Sequence, residues 1–284
     1  MPSSLPIGIR LHDTAPGALP ERLLSARRQG FCCAHLALSK AVEGFKMSEA
    51  PEKLTEEFAQ AVKGDFAAAE MDCVLLGCYQ QLTWRDEETL EKTREVYRAH
   101  LRFAKWMGAW AVGTETPAKG LTFSDGLPEE SEEAYQLFLR GLRPLLRCAE
   151  EEGVPLAVEP VFCDVISTPK RAERLLEDAE SDYLRIILDG VNLLSGETAE
   201  DQDRIIEKAI RLLGDRVCLV HLKDYRLIPG DRRLESIACG QGSMRYEHLL
   251  AFAKEKGLPM TLENTAPDNA EDTRLYLERL ARNL

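Results

Sequence analysis

Four residues with metal-binding side chains recur along the second half of the chain, each at the end of a short apolar run. The runs are PLAVE ending at Glu159, RIILD ending at Asp189, VCLVH ending at His221 and MTLE ending at Glu263. Steps of 30, 32 and 42 residues separate them, about one strand and one helix per step. In a parallel barrel this spacing brings all four side chains to the same mouth. Carboxylates with an imidazole suit Mn²⁺, Mg²⁺, Co²⁺ or Zn²⁺, so we predict a one-metal active site.

Each of these residues alone also has a less specific explanation, as a helix cap or an ion-pair member near a strand end. Side chains alternate between the two faces of a strand, so each candidate shares its face with a smaller residue two positions earlier. These pairs are Ala157 and Glu159, Ile187 and Asp189, Leu219 and His221, and Thr261 and Glu263. Unpaired buried carboxylates are costly, and a divalent cation would compensate them. The four residues together therefore favour a metal site.

The composition is typical of a soluble globular protein rather than of a nucleic-acid or membrane protein. The chain has 284 residues, of which 44% are hydrophobic and 30% charged, with a net charge of −12. Binding to a phosphate backbone depends on Lys and Arg, so this charge argues against a nucleic-acid partner. No apolar run of about 18 residues is present, so no transmembrane helix is expected. The first residues, MPSSLPIGIR, lack the pattern of a signal peptide.

The eight cysteines include no CxxC pair, and several lie inside strand-like runs. In a chain of this size without a leader pattern, we interpret them as buried free thiols rather than a disulfide framework. The expected compartment is reducing and cytoplasmic.

Eight β-like runs alternate with helical patterns along the whole chain. The runs span 7–11, 31–38, 72–79, 110–116, 155–160, 184–190, 217–224 and 260–265. Helical periodicity occupies 86–107, 130–152, 169–179, 200–213, 245–256 and 270–282. This alternation predicts one (β/α)₈ TIM barrel over residues 1–284. The alternative is a doubly wound open sheet, but HDTAPGAL and not GxGxxG follows the first run.

Several other side chains stand near the carboxyl ends of the runs and are candidates for substrate contacts. His12 and Asp13 follow the first run, with Arg10 deeper, and either line the pocket or belong to a solvated loop or a structural ion pair. Tyr79 stands at the end of the third run and Glu115 near the end of the fourth, where either can contact hydroxyl groups. His35 lies inside the second run and is interpreted as a satisfied interior histidine.

The longest irregular stretches, 39–50 and 226–242, both follow strands and are expected to be active-site loops. Lys223 shares the face of His221 and either stabilises an oxyanion or phosphate or pairs with Asp224 or Glu263. The sequence CGQGS at 239–243 is rich enough in glycine to permit a backbone nest for a phosphate group.

Five motifs of the chain resemble those of the sugar phosphate isomerase/epimerase family, the xylose isomerase-like barrels. They are VEP at 158–160, ILDGVNLL at 187–194, HLKD at 221–224, CGQGSMRYEHLL at 239–250 and LEN at 262–264. The family includes D-tagatose 3-epimerase-like enzymes, hydroxypyruvate isomerase, inosose dehydratase and endonuclease IV. The resemblance covers essentially the whole chain. It implies one divalent metal, Mn²⁺ before Mg²⁺, Co²⁺ or Zn²⁺, held by Glu159, Asp189, His221 and Glu263.

The resemblance also implies roles in the reaction. In the epimerases of the family the first and last carboxylates flank the substrate carbon and exchange its proton on opposite faces, which implies catalytic roles for Glu159 and Glu263. A metal on a carbonyl and a neighbouring hydroxyl would stabilise an enediolate between them. Asn192 stands where those epimerases often have His, so it can bind a substrate hydroxyl but cannot relay a proton.

We therefore expect a divalent-metal-dependent isomerase or epimerase of a small sugar, sugar phosphate or polyol-derived ketose, assembled as a homodimer or homotetramer. An inosose-type dehydratase and a sugar-binding barrel without turnover are the alternatives. Endonuclease IV activity is not expected, because its three-metal cluster needs several imidazole ligands. The chain has five histidines, and two of them, His100 and His248, fall in helical patterns, which leaves too few.

Overall fold

Eight parallel strands close into a barrel in the computed structural model, which describes residues 6–121 and 126–284. The barrel strands are β1 (Ile7–Arg10), β2 (Cys33–Leu36), β3 (Asp72–Gly77), β4 (Val112–Thr114), β5 (Leu156–Val158), β6 (Leu184–Asp189), β7 (Val217–Leu222) and β10 (Met260–Leu262). Their order around the barrel is β1-β10-β7-β6-β5-β4-β3-β2. The predicted TIM barrel and its eight strands are confirmed, with each strand shorter than the run that predicts it.

The helices follow the strands and cover the outside of the barrel. They are α1 (Leu19–Arg28), α2 (Leu38–Ala41), α3 (Ala50–Lys53), α4 (Glu56–Ala68), α5 (Glu87–Met107), α6 (Glu132–Glu152), α7 (Pro169–Ala179), α8 (Gln202–Leu213), α9 (Glu247–Lys256) and α10 (Ala270–Ala281). Local chemistry sets their ends. The Asp86 side chain accepts the Thr89 N–H at the start of α5, and Gly108, with φ of 81°, ends it.

The interior of the barrel is filled by side chains from alternate strand positions. A cluster separate from the outer core contains Cys33, Val74, Leu75, Ala111, Ala157, Ile187 and Leu219. Three of these residues precede a candidate ligand by two positions, which confirms that the candidates continue inward-facing rows. The register between β6 and β7 pairs Asp189 with His221, so both side chains stand at the same level of the barrel.

The segment 226–242, predicted to be an irregular loop, contains part of a β-hairpin instead. Strands β8 (Asp224–Leu227) and β9 (Leu234–Ile237) pair antiparallel, with Asp224 opposite Ile237. Each strand of the hairpin has only four residues, too few for an alternation of apolar and polar residues to mark it, and the turn between the strands is largely exposed. The segment 39–50 is mainly irregular as expected, although α2 and a short 3₁₀ turn, Met47–Glu49, occupy parts of it.

The cysteine and membrane predictions can be compared with the same structure. All eight cysteines are free thiols; Cys33, Cys73, Cys78 and Cys239 are buried, whereas Cys163 is exposed. Within residues 6–121 and 126–284, the structure contains no helix with the length and apolarity needed to cross a membrane.

Candidate active site

The four predicted metal ligands converge at the carboxyl ends of the barrel strands. Glu159 directly follows β5, Asp189 is the last residue of β6, His221 lies in β7 and Glu263 directly follows β10. All four are buried. His221 Nδ1 lies 3.3 Å from Glu159 Oε2 and 3.4 Å from Glu263 Oε1. The four residues selected from the sequence therefore form a cluster of three carboxylates around one imidazole.

Two groups of three residues within the cluster have potential ligand atoms close enough to share a cation. Glu159, Asp189 and His221 form one group, and His35, His221 and Glu263 form the other, with all ligand atoms of a group within 4.8 Å of one another. His221 belongs to both groups and is the centre of the site.

Hydrogen bonds fix which carboxylate oxygens face the cluster. Asp189 Oδ1 accepts the backbone N–H groups of Val191 and Asn192, at 2.8 and 3.0 Å. The Asn192 side chain donates from Nδ2 to Glu159 Oε1 at 2.6 Å. Asp189 Oδ2 and Glu159 Oε2 are thus the oxygens left for a cation. Asn192, expected to contact substrate, also holds a candidate catalytic carboxylate in place.

Two basic side chains neutralise part of the negative charge. Lys223 Nζ lies 2.9 Å from Asp189 Oδ2 and 3.3 Å from Glu263 Oε2. Arg10 Nη1 lies 3.4 Å from the same Glu263 oxygen, and its guanidinium also pairs with Asp13 at 3.1 Å. Of the two partners considered for Lys223, the Glu263 pairing is confirmed. The Asp224 pairing is wrong because the Asp224 carboxylate is engaged by backbone N–H groups.

The charged groups shift one another's proton affinities. Burial alone lowers the pKa of His221, but the carboxylates of Glu263 and Glu159 outweigh burial and raise the pKa to about 9. Burial alone raises the pKa of Glu263, but His221, Lys223 and Arg10 together hold that pKa well below its usual range. Glu263 is therefore ionised throughout the physiological pH range.

The residues fit a divalent metal ion. Within the described part of the chain, Nε2 of the buried His221 has no hydrogen-bond partner, and Nδ1 has only the Glu159 and Glu263 oxygens at 3.3 and 3.4 Å. Three carboxylates and one imidazole are the donor set that hard and borderline divalent cations prefer. Without such a cation, His221 Nδ1 and two carboxylate oxygens would face one another without a strong hydrogen bond.

A cavity of about 460 Å³ opens above the cluster, of a size suited to a small molecule. Its lining includes all five predicted substrate contacts: His12, Tyr79, Glu115, Asn192 and Lys223. The two segments expected to be active-site loops also contribute, through Ser39, Lys40 and Met47 from one and Ser236 from the other.

His35 lines the same cavity, and its interpretation as a satisfied interior histidine is wrong. The ring is 1% exposed and lies parallel to that of His221, with centroids 5.5 Å apart. His35 Nε2 lies 3.2 Å from the Tyr79 hydroxyl, whereas Nδ1 has no partner in the described residues. Gly77 permits this arrangement, because a Cβ there would lie 2.9 Å from His35 Nε2. The available signal was the inward-facing position of His35 near the end of β2.

Two further groups of the pocket have unusual proton affinities. Burial and the neighbouring Arg10 lower the pKa of His12 to about 4, so its imidazole is neutral at pH 7. Burial and the nearby Glu159 raise the pKa of Glu115 to about 7, so this carboxyl has a protonated population near neutral pH. His12 can therefore exchange hydrogen bonds with a hydroxyl, and Glu115 can act as an acid.

The Gly-rich segment 239–243 does not form the phosphate nest that its sequence permits. Its N–H groups are already engaged by the carboxylate of Asp224, which accepts from Gly240 at 2.9 Å, from Gly242 at 2.9 Å and from Met244 at 2.8 Å. A Cβ at Gly242 would lie 2.1 Å from the Tyr225 carbonyl oxygen, which explains the glycine there. The segment is a structural loop built around Asp224.

Comparisons of sequence are consistent with this architecture. Residues 36–281 match the family model described as "Xylose isomerase-like TIM barrel". No curated protein matches the chain at a significant level of sequence similarity.

Three solved structures illustrate the structural similarity. The apo form of 3-keto-D-glucoside 4-epimerase from E. coli superposes with a TM-score of 0.74 at 16% identity, covering 97% of this chain and 99% of that one. The IOLI protein with a bound zinc atom gives 0.68 at 17%, covering 98% and 95%. The probable 3-DHS dehydratase AsbF from Bacillus anthracis gives 0.71 at 12%, covering 98% and 98%. At these identities the similarity establishes the fold.

Proposed function

The chain belongs to the xylose isomerase-like TIM barrel family, and from this we propose that it is a divalent-metal-dependent isomerase or epimerase of a small sugar, sugar phosphate or polyol-derived ketose. The observation that carries the proposal is the convergence of Glu159 and Glu263 on His221 beneath the cavity. Two buried carboxylates at one site are suited to removing a proton from carbon and returning it.

We propose that Glu159, Asp189, His221 and Glu263 hold one divalent cation, Mn²⁺ in preference to Mg²⁺, Co²⁺ or Zn²⁺. The zinc atom bound by the IOLI protein, which shares this fold, supports a divalent metal in this chain. When bound, the cation supplies Lewis-acid polarisation of a carbonyl and a neighbouring hydroxyl.

The side chains of the protein then divide the proton transfer between them. One of the two glutamates removes the proton from the carbon next to the substrate carbonyl, and the electron pair moves into an enediolate. The other glutamate takes up a proton from solvent and returns it to carbon, and the first glutamate releases its proton to solvent. Return to the same carbon from the opposite face gives an epimer, whereas return to the former carbonyl carbon gives an isomer.

The other pocket residues bind and orient. Asn192 holds Glu159 through its 2.6 Å hydrogen bond. Lys223 and Arg10 favour the ionised form of Glu263. His12, Tyr79 and Glu115 line the cavity and supply hydroxyl contacts.

A dehydratase of the inosose type is the second candidate, and Glu115 favours it specifically. With a pKa of about 7, Glu115 has a proton available for a departing hydroxyl group at neutral pH. The dehydratase among the structural neighbours supports this chemistry on the same fold.

We further propose a small carbohydrate as the partner, a cytoplasmic location, no nucleic-acid or membrane partner, and a homodimer or homotetramer. The related epimerase supports the carbohydrate, and the net charge of −12 with eight free thiols supports the location.

The test is metal analysis followed by proton exchange in D₂O. The metal-loaded protein is incubated with a panel of ketoses, their phosphates and inososes, and deuterium next to the carbonyl is followed by NMR. An isomerase or epimerase incorporates deuterium and forms a new sugar, and a chelator abolishes both. A dehydratase forms a product that has lost water. Tight sugar binding without exchange or product would instead indicate a binding protein and contradict the proposal.

A further inference from the structure

Lys223 lies where a metal ion would need a ligand atom, and this juxtaposition carries an inference that rests on the proposed metal centre. We propose that Lys223 is a tethered cation that competes with the metal ion for the carboxylates of Asp189 and Glu263. Metal binding exchanges the partners of Lys223 and turns its ammonium group toward the cavity, where it binds a substrate oxygen.

The hydrogen bonds of Asp189 make the competition direct. Oδ1 already accepts two backbone N–H groups, from Val191 and Asn192. Oδ2 is the oxygen left for a metal, and Lys223 Nζ lies 2.9 Å from it. A metal ion bound to Oδ2 must therefore displace the ammonium group or share this oxygen with it.

The surroundings strengthen the competition. Lys223 is 6% exposed, and its ammonium group also lies 3.3 Å from Glu263 Oε2. Two buried carboxylates thus share this buried ammonium group for charge compensation, and Glu263 also has Arg10 at 3.4 Å. A divalent cation placed beside that group meets like-charge repulsion that little water is available to screen. Lys223 consequently weakens metal binding while it stabilises the protein that has not yet bound metal.

The ammonium group of Lys223 can move into the cavity. Lys223 lines the cavity as well as the ligand cluster, so its flexible four-carbon chain can reach the substrate side without a change in the backbone. A lysine released there presents a positive charge to an oxyanion or a phosphate. Loading of the metal and readiness for substrate are thereby coupled through one side chain.

A supporting role for Lys223, in which it orients a metal ligand, predicts the opposite change in metal affinity. If Lys223 simply orients Asp189 as a ligand, its removal weakens metal binding, as the loss of such supporting partners commonly does by 10- to 100-fold. If it competes, its removal strengthens metal binding. The sign of the change in affinity separates the two roles.

The experiment measures Mn²⁺ affinity by titration calorimetry on chelator-stripped wild type, Lys223→Met and Lys223→Arg. The exposed Lys40, in the wall of the same cavity, supplies the matched control Lys40→Met. Lys223→Met should bind Mn²⁺ roughly tenfold or more tightly than wild type, as removal of a like charge a few ångströms away implies. Lys223→Arg and Lys40→Met should stay close to wild type. Thermal unfolding should show that Lys223→Met destabilises the stripped protein and that Mn²⁺ restores most of the loss.

If Lys223→Met folds only with metal bound, the rate of Mn²⁺ release into excess chelator is measured instead of the titration. We then expect Lys223→Met to release Mn²⁺ more slowly than wild type. Equal or weaker Mn²⁺ binding by Lys223→Met, or equal or faster release, overturns the inference while the metal centre stands. Failure of wild type to bind Mn²⁺ overturns the proposed metal centre, and the inference with it.

Discussion

Replacement of Asn192 by alanine tests how the protein holds its proposed base. The Asn192 amide donates to Glu159 Oε1 at 2.6 Å, a short contact to a buried carboxylate. Hydrogen bonds to charged groups contribute about 1.5–3 kcal/mol. If Asn192 acts mainly by holding Glu159 for proton transfer, this energy is lost in the transition state, and kcat falls by roughly 10- to 150-fold.

The assay is the rate of solvent-proton exchange in the best ketose, resolved into kcat and KM. Gln80→Ala is the control, because the Gln80 amide lines the same cavity but donates to the Tyr79 carbonyl oxygen rather than to a proposed ligand. Mn²⁺ affinity provides a second readout, since a displaced Glu159 should also bind the metal less well. A raised KM with unchanged kcat and Mn²⁺ affinity would show that Asn192 contacts only the substrate, and the reasoning would be refuted.

Three further predictions follow from the same contacts. Glu159→Gln and Glu263→Gln should each retain Mn²⁺ with somewhat weaker affinity and lose proton exchange by roughly 10²- to 10⁴-fold. One variant should block deprotonation of one epimer, and the second should block deprotonation of the other epimer. Equal and full exchange in both variants would contradict the assignment. Because His221 has a pKa of about 9 and must be neutral to bind a metal, Mn²⁺ binding at pH 7 should release a proton, and Mn²⁺ affinity should rise with pH by up to about tenfold per unit and level off above pH 9. Calorimetry in buffers of different ionisation enthalpy measures the proton release, and an Mn²⁺ affinity that is independent of pH below 9 would contradict this prediction. Asp224→Ala should lower the free energy of unfolding by about 3–5 kcal/mol, because it leaves several backbone N–H groups of the 239–244 loop without an acceptor. Urea denaturation beside the control Asp231→Ala, in the turn of the hairpin, measures this loss, and equal losses would show that the loop does not depend on Asp224.

The barrel could be predicted because its determinants are local. Each barrel strand is a short apolar run, and each long helix shows amphipathic periodicity, so the alternation is visible without knowledge of the tertiary structure. The ligand cluster could be predicted for a related reason. A charged residue at the end of an apolar run is conspicuous, and parallel strands bring such ends together.

The features that the sequence did not reveal depend on contacts between distant segments. His35 belongs to the site because its ring contacts the Tyr79 hydroxyl and lies parallel to the His221 ring. The sequence around His35 indicates neither contact. The Gly-rich loop 239–243 permits a phosphate nest, but its N–H groups are taken by Asp224, 15 or more residues earlier. The β8–β9 hairpin has strands of only four residues, too short to give a recognisable pattern, although Tyr225 and Leu234 pack against the core.

The most direct test of the central claim is a crystal of the protein soaked in Mn²⁺ and measured for anomalous scattering. We expect one strong peak per chain, within coordination distance of Glu159, Asp189, His221 and Glu263, and we expect that peak to be lost in His221→Ala. Data of good quality with no peak among these side chains, or with the only peak elsewhere on the chain, would contradict it.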